Sequence, residues 1–392
     1  MRTRNLILVT VIIASGLFAS AAWGQQEQWL GYRSMREARQ VIGDMRLQGI
    51  EVSADRPEGV ELPEFLAEEV FFGKWSSPMA KNEHLWIALD KSNKDGMYNR
   101  LFIDSDGDGS LSDEQPQEAY RTDSRSSYFG PVKVVFEGED GPVSYHLNFQ
   151  FYIREDRKRL SVNSGCWYEG QIEVGSEKKY CVLIDQNGNG IFNDKSLSSG
   201  DCDRIRIGKK DSRDTKFVGN FIEVEGVLYE LDVAPDGAYV VLNKAENVKY
   251  GKIEVPETIT EFAAGGENGF FEVDLKKGIG ELPVGKYRID HWQIERKDES
   301  GNTWKLAGRY FGSKGDFDVS DSSAAKLDIG EPVISNLNVR KREGKYSFSQ
   351  ELKGKLGERI DLQQSNNRPR APKVHIKDEK GKYDRTYSFE YG

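Results

Sequence analysis

Cysteine and histidine are scarce in this chain of 392 residues, which limits the chemistry it can support. The odd cysteine count allows at most one disulfide with one thiol left over, and it equally allows all three thiols to stay reduced and buried. The three are Cys166, Cys181 and Cys202. The histidines are isolated and show no zinc-ligand spacing. They are His84, His146, His291 and His375.

Catalytic motifs are absent as well. Neither G-x-S-x-G nor H-E-x-x-H occurs. The stretch "GELPVGKY" matches a phosphate loop only from Gly280 to Lys286, and Tyr287 stands where a magnesium-binding Ser or Thr is needed, so we interpret it as a turn. No pair of acidic residues is singled out for glycoside hydrolysis. The sequence therefore identifies no catalytic residue.

Long apolar runs are missing beyond the first residues. Arg2 and Arg4 precede an apolar run from Leu6 to about Ala22, and Ala22 and Gly24 are small residues before a plausible cut at Gln25. This layout is typical of a secretory signal peptide, residues 1–24. We therefore predict export by the signal peptide to the periplasm or the cell exterior, and no membrane span in the mature chain.

Basic residues are outnumbered by acidic ones. The formal net charge is −9, and it becomes −11 on loss of the signal peptide, which removes two arginines and no acid. Because phosphates attract basic surfaces, this balance argues against nucleic acid as a partner. Forty glycines and a high aromatic content, with few helical periods, favour β-structure.

Apolar residues recur mostly at every second position. From Val143 to Ile153 they alternate with polar residues, as in a half-buried antiparallel strand. One helix is predicted near the N-terminus, where Ser34 and Glu37 form a capping box. Its apolar positions are Met35, Ala38, Val41, Ile42 and Met45. We expect this amphipathic helix to pack on a sheet.

The pattern predicts a mainly β, multidomain protein. After the signal peptide we expect a β-rich domain with one short helix over residues 25–160 and a β domain over 161–245. A β-sandwich over 246–330 would follow, and 331–392 would form a second small sandwich or complete the preceding one.

Two calcium-type loops, 81 residues apart, are the most informative feature. "LFIDSDGDGSLSD" and "VLIDQNGNGIFND" share one order of residue types, which indicates two related strand–loop–strand units. Calcium prefers six to eight oxygen ligands, and side chains at positions 1, 3 and 5 converge when glycine at position 6 allows a sharp turn. The glycines at that position are Gly109 and Gly190.

Each loop supplies five predicted ligands, including the main-chain carbonyl at position 7. The first set is Asp104, Asp106, Asp108, Ser110 and Asp113. The second set is Asp185, Asn187, Asn189, Ile191 and Asp194. Position 12, which is a bidentate Glu in an EF-hand, is Gln115 in the first loop and Ser196 in the second. We therefore expect the Asp at position 10 to close each loop. Glu114 is an alternative closing residue in the first loop.

A turn without metal is the competing interpretation, because Asp-Gly and Asn-Gly between apolar runs are strong hairpin signals. The first loop concentrates acidic residues that would repel one another without a cation. The second offers only two carboxylates, so we expect it to bind Ca²⁺ more weakly.

On these motifs, roughly residues 70–245 resemble exported bacterial β-rich proteins with repeated, strand-linked EF-hand-like calcium loops. The resemblance implies calcium binding and no particular activity. The leading hypothesis is an exported, calcium-binding structural or binding protein, its partner being a surface glycan or an extracellular protein. The alternative is a carbohydrate-active protein, either a calcium-dependent sugar-binding module, with Trp292 and Trp304 as a stacking platform, or a glycoside hydrolase with an unrecognised acidic pair.

Overall fold

The chain folds almost entirely into β-strands, which confirms the predicted fold class. A computed structural model describes residues 26–36, 38–43, 45–138 and 141–391. The predicted signal peptide and Glu37 of the predicted capping box lie outside these residues. Among the described residues, helix is limited to α1 (Arg39–Ile42) and a 3₁₀ turn (Gly312–Gly315).

The strands run along the whole described chain. Those of the first third are β1 (Gln28–Trp29), β2 (Gly31–Ser34), β3 (Gln48–Ile50), β4 (Phe71–Ser76), β5 (His84–Asp90), β6 (Arg100–Ile103), β7 (Gln117–Glu118), β8 (Arg121–Thr122) and β9 (Ser126–Gly138). Those of the middle are β10 (Gly141–Arg154), β11 (Arg157–Ser164), β12 (Cys166–Val174), β13 (Glu177–Ile184), β14 (Arg204–Gly208), β15 (Lys216–Phe217), β16 (Phe221–Val224), β17 (Val227–Val233) and β18 (Tyr239–Lys244).

The remaining strands form the C-terminal part. They are β19 (Tyr250–Glu254), β20 (Glu261–Gly266), β21 (Gly269–Glu272), β22 (Ile279–Pro283), β23 (Gly285–Lys297), β24 (Thr303–Arg309), β25 (Asp316–Val319), β26 (Ala325–Lys326), β27 (Ile334–Arg342), β28 (Lys345–Lys353), β29 (Arg359–Gln364), β30 (Lys373–Lys377) and β31 (Asp384–Ser388).

Four sheets surround the first core. Three have the orders β1-β18-β17-β16, β3-β11-β10-β9-β8 and β15-β14-β13-β12-β2, and the fourth is β4-β5-β6-β7. The N-terminal strands β1, β2 and β3 thus lie at the edge of three different sheets. Their partners, β18, β12 and β11, come from more than 100 residues further along the chain.

One hydrophobic core holds these sheets together and includes residues from Leu30 to Val240. The alternation predicted for residues 143–153 is confirmed in β10, where Tyr145, Leu147, Phe149 and Phe151 are buried and the intervening polar residues are half-buried. Trp75 stacks on Tyr145, with 5.8 Å between ring centroids. Both predicted segments, 25–160 and 161–245, contribute to this core.

The predicted N-terminal helix is shorter than expected, but its apolar face packs on a sheet. Ala38, Ile42 and Met45 are buried against Trp167 and neighbouring residues of β12 and β13. The helix ends at Ile42 because the next residue, a glycine, adopts a φ of 86° and donates its N–H to the carbonyl of Arg39. Within the described part of the chain, no helix is long and apolar enough to cross a membrane.

A second core lies in the C-terminal part and includes residues from Ile253 to Ile360. Its long sheet has the order β21-β20-β23-β24-β29-β28-β27, with β25 also pairing with β23. Strand β29 pairs with β24, so residues of the predicted segment 331–392 extend the sheet of segment 246–330. The hairpin of β27 and β28 projects from this sheet and is largely exposed.

Candidate metal loops

The first calcium-type loop begins where β6 ends. Asp104, 2% exposed, follows this buried strand and donates its N–H to the carbonyl of Trp86 at 3.0 Å. Seven residues later, Leu111 is buried in a small apolar cluster with Phe102. Both ends of the loop are therefore fixed to the sheet of β4 to β7.

Two glycines in the left-handed region fold this loop around the carboxylate of Asp104. Gly107 and Gly109 have φ values of 76° and 89°, and their N–H groups donate to Asp104 at 2.8 and 3.1 Å. The turn brings Asp106 and Asp108 beside Asp104, with one carboxylate oxygen of each within 4.8 Å of the others. In the described chain, no other set of three or more His, Cys, Asp or Glu side chains is gathered this closely.

Glu114 faces this cluster. Its carboxylate accepts hydrogen bonds from the N–H and the hydroxyl of Ser105. Burial raises its pKa, and the negative charges of Asp106 and Asp104 raise it further. The pKa of Asp104 is raised for the same reasons, by burial and by the charges of Asp108 and Asp106. The loop therefore holds carboxylates whose charges are mutually unfavourable, and a bound cation would offset that repulsion.

The structure does not bring every predicted ligand of the first loop together. Asp113, the expected closing residue, is exposed, and neither Asp113 nor Glu114 belongs to the group of three carboxylates that lie within 4.8 Å of one another. Ser110 donates its N–H to Asp108 at 2.7 Å and its hydroxyl contacts Ser112. The alternative, Glu114, is the acidic residue that returns to the loop.

The second loop follows β13 and is anchored in the first core. Trp75 donates its indole N–H to the carbonyl of Gly188 at 2.8 Å, and the hydroxyl of Tyr145 donates to Asp185 at 2.7 Å. Phe192, 1% exposed, packs its ring against Tyr145. This loop is thus more deeply buried than the first.

The same hydrogen-bond pattern recurs around Asp185, which is the equivalent of Asp104. Gly188 and Gly190, with φ values of 68° and 98°, donate their N–H groups to its carboxylate at 2.6 and 2.8 Å. Burial raises the pKa of Asp185 to about 6, although these hydrogen bonds and the one from Tyr145 lower it. The shared geometry supports the prediction of two related loops.

The two loops differ in how they close. In the second, the side-chain amides of Asn187 and Asn189 donate to Asp194 at 2.7 and 2.8 Å. Asp194 therefore lies at the loop, as predicted. The equivalent residues of the first loop are ionised aspartates, which have no hydrogen to donate, so no comparable side-chain donor holds Asp113 in the part of the chain that the structure describes. In the second loop, amide hydrogens bind the closing carboxylate, whereas in the first loop a cation would be needed to do so.

Asp203 is a part of the second loop that the sequence reasoning missed. It is fully buried and accepts the N–H groups of Gln186 and Asp194 at 3.0 and 2.8 Å. Burial and the charges of Asp185 and Asp194 hold its pKa well above the usual range. It accepts the N–H at loop position 2, as Glu114 does. Because it lies nine residues beyond the repeat, comparison of the two motifs could not reveal it.

The comparisons with known proteins add no relative. No protein-family model, no curated protein and no solved structure matches the chain. The resemblance to exported proteins with strand-linked calcium loops therefore stays a prediction.

Proposed function

We propose that the protein binds Ca²⁺ in its first loop, where the ion acts as a structural clip, and that it works outside the cytoplasm without catalysing a reaction. The observation that carries the proposal is the convergence of the Asp104, Asp106 and Asp108 carboxylates within 4.8 Å. Hard carboxylate oxygens are the ligands that calcium prefers.

The first loop offers a suitable ligand set. The three aspartates, Glu114 and the carbonyl of Ser110 give five candidate groups, and water would complete the six to eight oxygens that calcium takes. An ion here would tie the end of β6 to the segment that leads to Leu111. The carboxylates would then no longer repel one another, so the ion would stabilise the fold.

The second loop is a weaker candidate. Its amides already satisfy Asp194, and Asn187 and Asn189 contribute no negative charge. Calcium affinity follows ligand charge, so we expect the first loop to be filled first. Extracellular modules bind calcium at about 10⁻⁴–10⁻³ M, which suits the export that the signal peptide predicts.

The carbohydrate-active alternative loses one of its supports. Trp292 is fully buried and donates its indole N–H to Glu358 at 3.1 Å. Trp304 donates its own indole N–H to Asp298 at 2.9 Å. The two tryptophans therefore do not form the exposed stacking platform that this alternative requires.

Calcium titration by calorimetry after chelation, with thermal unfolding in parallel, tests the proposal. At about 2 mM calcium and a Kd of about 10⁻⁴ M, binding should stabilise the protein by about 1.8 kcal/mol. Asp106→Ala should abolish most of this gain, whereas Asn187→Ala should retain it. Asp211→Ala, which removes an exposed carboxylate elsewhere, is the matched control. No binding heat at millimolar calcium would refute the site, and equal losses in Asp106→Ala and Asn187→Ala would refute the ranking of the loops.

A further inference from the structure

A cavity of about 450 Å³ lies where β23 changes its partner. Strand β23 pairs with β25 over Gly285–Arg288 and with β24 over His291–Lys297. Among the described strands, Ile289 and Asp290 therefore have no partner on this side. The chain crosses the gap between residues 310 and 315, and the cavity opens there. Its volume lies within the range of small-molecule sites, about 300–1,000 Å³.

The backbone of β23 is also irregular at this point. On its other side, β20 pairs Ala263 with His291 and Ala264 with Ile289, so Asp290 is the extra residue of a β-bulge. Bulges redirect side chains and are frequent next to functional sites. Asp290 lines the cavity together with Ser198, Ser199 and Phe217.

Tyr310, at the cavity mouth, combines exposure with an unfavourable backbone conformation. Its φ is 62°, a value that a bulky residue rarely adopts, and its side chain is 76% exposed. Its hydroxyl has no hydrogen bond among the residues that the structure describes. Neither packing nor hydrogen bonding with the described residues explains a tyrosine here, and such conformations cluster at ligand sites.

Arg309 is the cation that remains available at the cavity. It is exposed and has no ion pair or side-chain hydrogen bond within the described ranges. The other two nearby arginines are engaged, since Arg288 forms a two-point ion pair with Asp316 and Arg204 lies over the Phe217 ring at 4.0 Å. One guanidinium is therefore free to recognise one negative charge.

We propose that this cavity binds a uronic-acid residue of an acidic polysaccharide. Tyr310 stacks on the face of the sugar ring, Arg309 pairs with the carboxylate, and Asp290 accepts hydrogen bonds from sugar hydroxyls. A phosphate dianion suits the cavity less well than a singly charged carboxylate, because Arg309 is the one cation without an ion pair among the described residues that line the cavity, and the second charge would be repelled by Asp290. The inference does not depend on calcium binding by either loop.

Saturation-transfer NMR with the full chain tests this assignment. The probes are trisaccharides of galacturonic, mannuronic and glucuronic acid, their neutral counterparts, and inorganic phosphate. We expect saturable binding of at least one acidic trisaccharide, weaker by about tenfold or more for its neutral counterpart. Arg309→Gln and Tyr310→Ala should each weaken binding by about tenfold or more. Tyr346→Ala, at an exposed tyrosine of β28, is the matched control and should leave binding unchanged.

Tyr310→Gly separates loss of binding from loss of folding. Glycine adopts positive φ without strain, so this variant should have a raised melting temperature and still lose the ligand. The proposal would be overturned if no acidic trisaccharide showed saturable binding at about 5 mM. Equal binding of the neutral sugars, or stronger binding of phosphate, would also overturn it. So would binding that survives both Arg309→Gln and Tyr310→Ala.

Discussion

The hydrogen bond from Tyr145 to Asp185 provides a sharp test of how the second loop is held in the core. Both side chains are at most 1% exposed, and the donor and acceptor oxygens are 2.7 Å apart. Tyr145→Phe removes one hydroxyl and keeps the shape of the ring. The substitution therefore leaves a buried carboxylate with one donor fewer and creates almost no cavity.

Hydrogen bonds to charged groups contribute about 1.5–3 kcal/mol to stability. A change of 1 kcal/mol shifts the melting temperature by about 2–4 °C in a unit of 150–250 residues, so Tyr145→Phe should lower it by about 3–12 °C. The effect should depend on pH. The pKa of Asp185 is about 6 in the folded state and 3.8 ordinarily. Ionised Asp185 therefore opposes folding above pH 6. The stability of the protein rises as the pH falls from 6 towards 3.8, because the folded state then takes up the proton more readily than the unfolded state. Tyr145 favours the ionised form, so its loss should matter most at pH 7–8 and less below pH 6.

Thermal and urea unfolding in the presence of a chelator would measure this difference without a contribution from bound ions. Tyr128→Phe is the control, because its hydroxyl makes two long contacts, an exposed one to Asp123 at 3.5 Å and a partly buried one from Gln150 at 3.3 Å. We expect this control to change stability by less than about 0.5 kcal/mol. If Tyr145→Phe changed stability as little as the control at pH 7.5, the reasoning about the buried carboxylate would be wrong.

Three other measurements probe different parts of the chain. Burial raises the pKa of the three buried thiols to about 11 or 12. A thiol reagent should therefore label none of them in the native protein at neutral pH and all three after denaturation. Fast labelling of the native protein, or fewer than three labelled thiols in the unfolded protein, would contradict this. Hydrogen bonds from Trp304 and Asn302 lower the pKa of Asp298 from 3.8 to about 2. The ionised carboxylate therefore stabilises the turn at pH values above 3.8, and this stabilisation is lost as the pH falls through 2. The indole N–H resonance of Trp304 should titrate there, and a midpoint near 3.8 would refute the assignment. Glu358→Ala should lower stability by about 1–3 kcal/mol in urea unfolding, because it leaves the buried indole N–H of Trp292 without an acceptor. Glu358→Gln keeps an acceptor and should lower stability less. Equal losses of stability in the two variants would argue against Glu358 acting as the acceptor for Trp292.

Local patterns in the sequence predict the local structure well. Alternation over residues 143–153 identifies the buried face of β10, because side chains of a strand point to opposite faces in turn. The glycines of the two motifs adopt the positive φ values that their loops require. The predicted helix is shortened to one turn, because Gly43 adopts a φ of 86° that ends it after Ile42.

Contacts that reach beyond the repeated motif account for what the sequence could not show. Asp203 reaches the second loop from outside the repeated motif, and Glu114 rather than Asp113 faces the first because a serine N–H holds it there. The cavity beside Tyr310 depends on β24 and β25 leaving a gap along β23, which no local period encodes. Each of these features depends on contacts that neither the repeated motif nor the local period specifies.

The placement of β1, β2 and β3 has a consequence for how the chain folds. These strands complete three sheets, and each covers an edge of unpaired N–H and C=O groups on β18, β12 or β11. Until residues near 240 have been synthesised, the N-terminal segment lacks the last of its partners. Contacts of such separation make folding slow, and the uncovered edges could meanwhile recruit strands from other chains. The N-terminal segment that carries β1, β2 and β3 thus also protects these sheet edges against aggregation. Deleting residues 26–50 should therefore produce aggregates rather than a smaller folded protein.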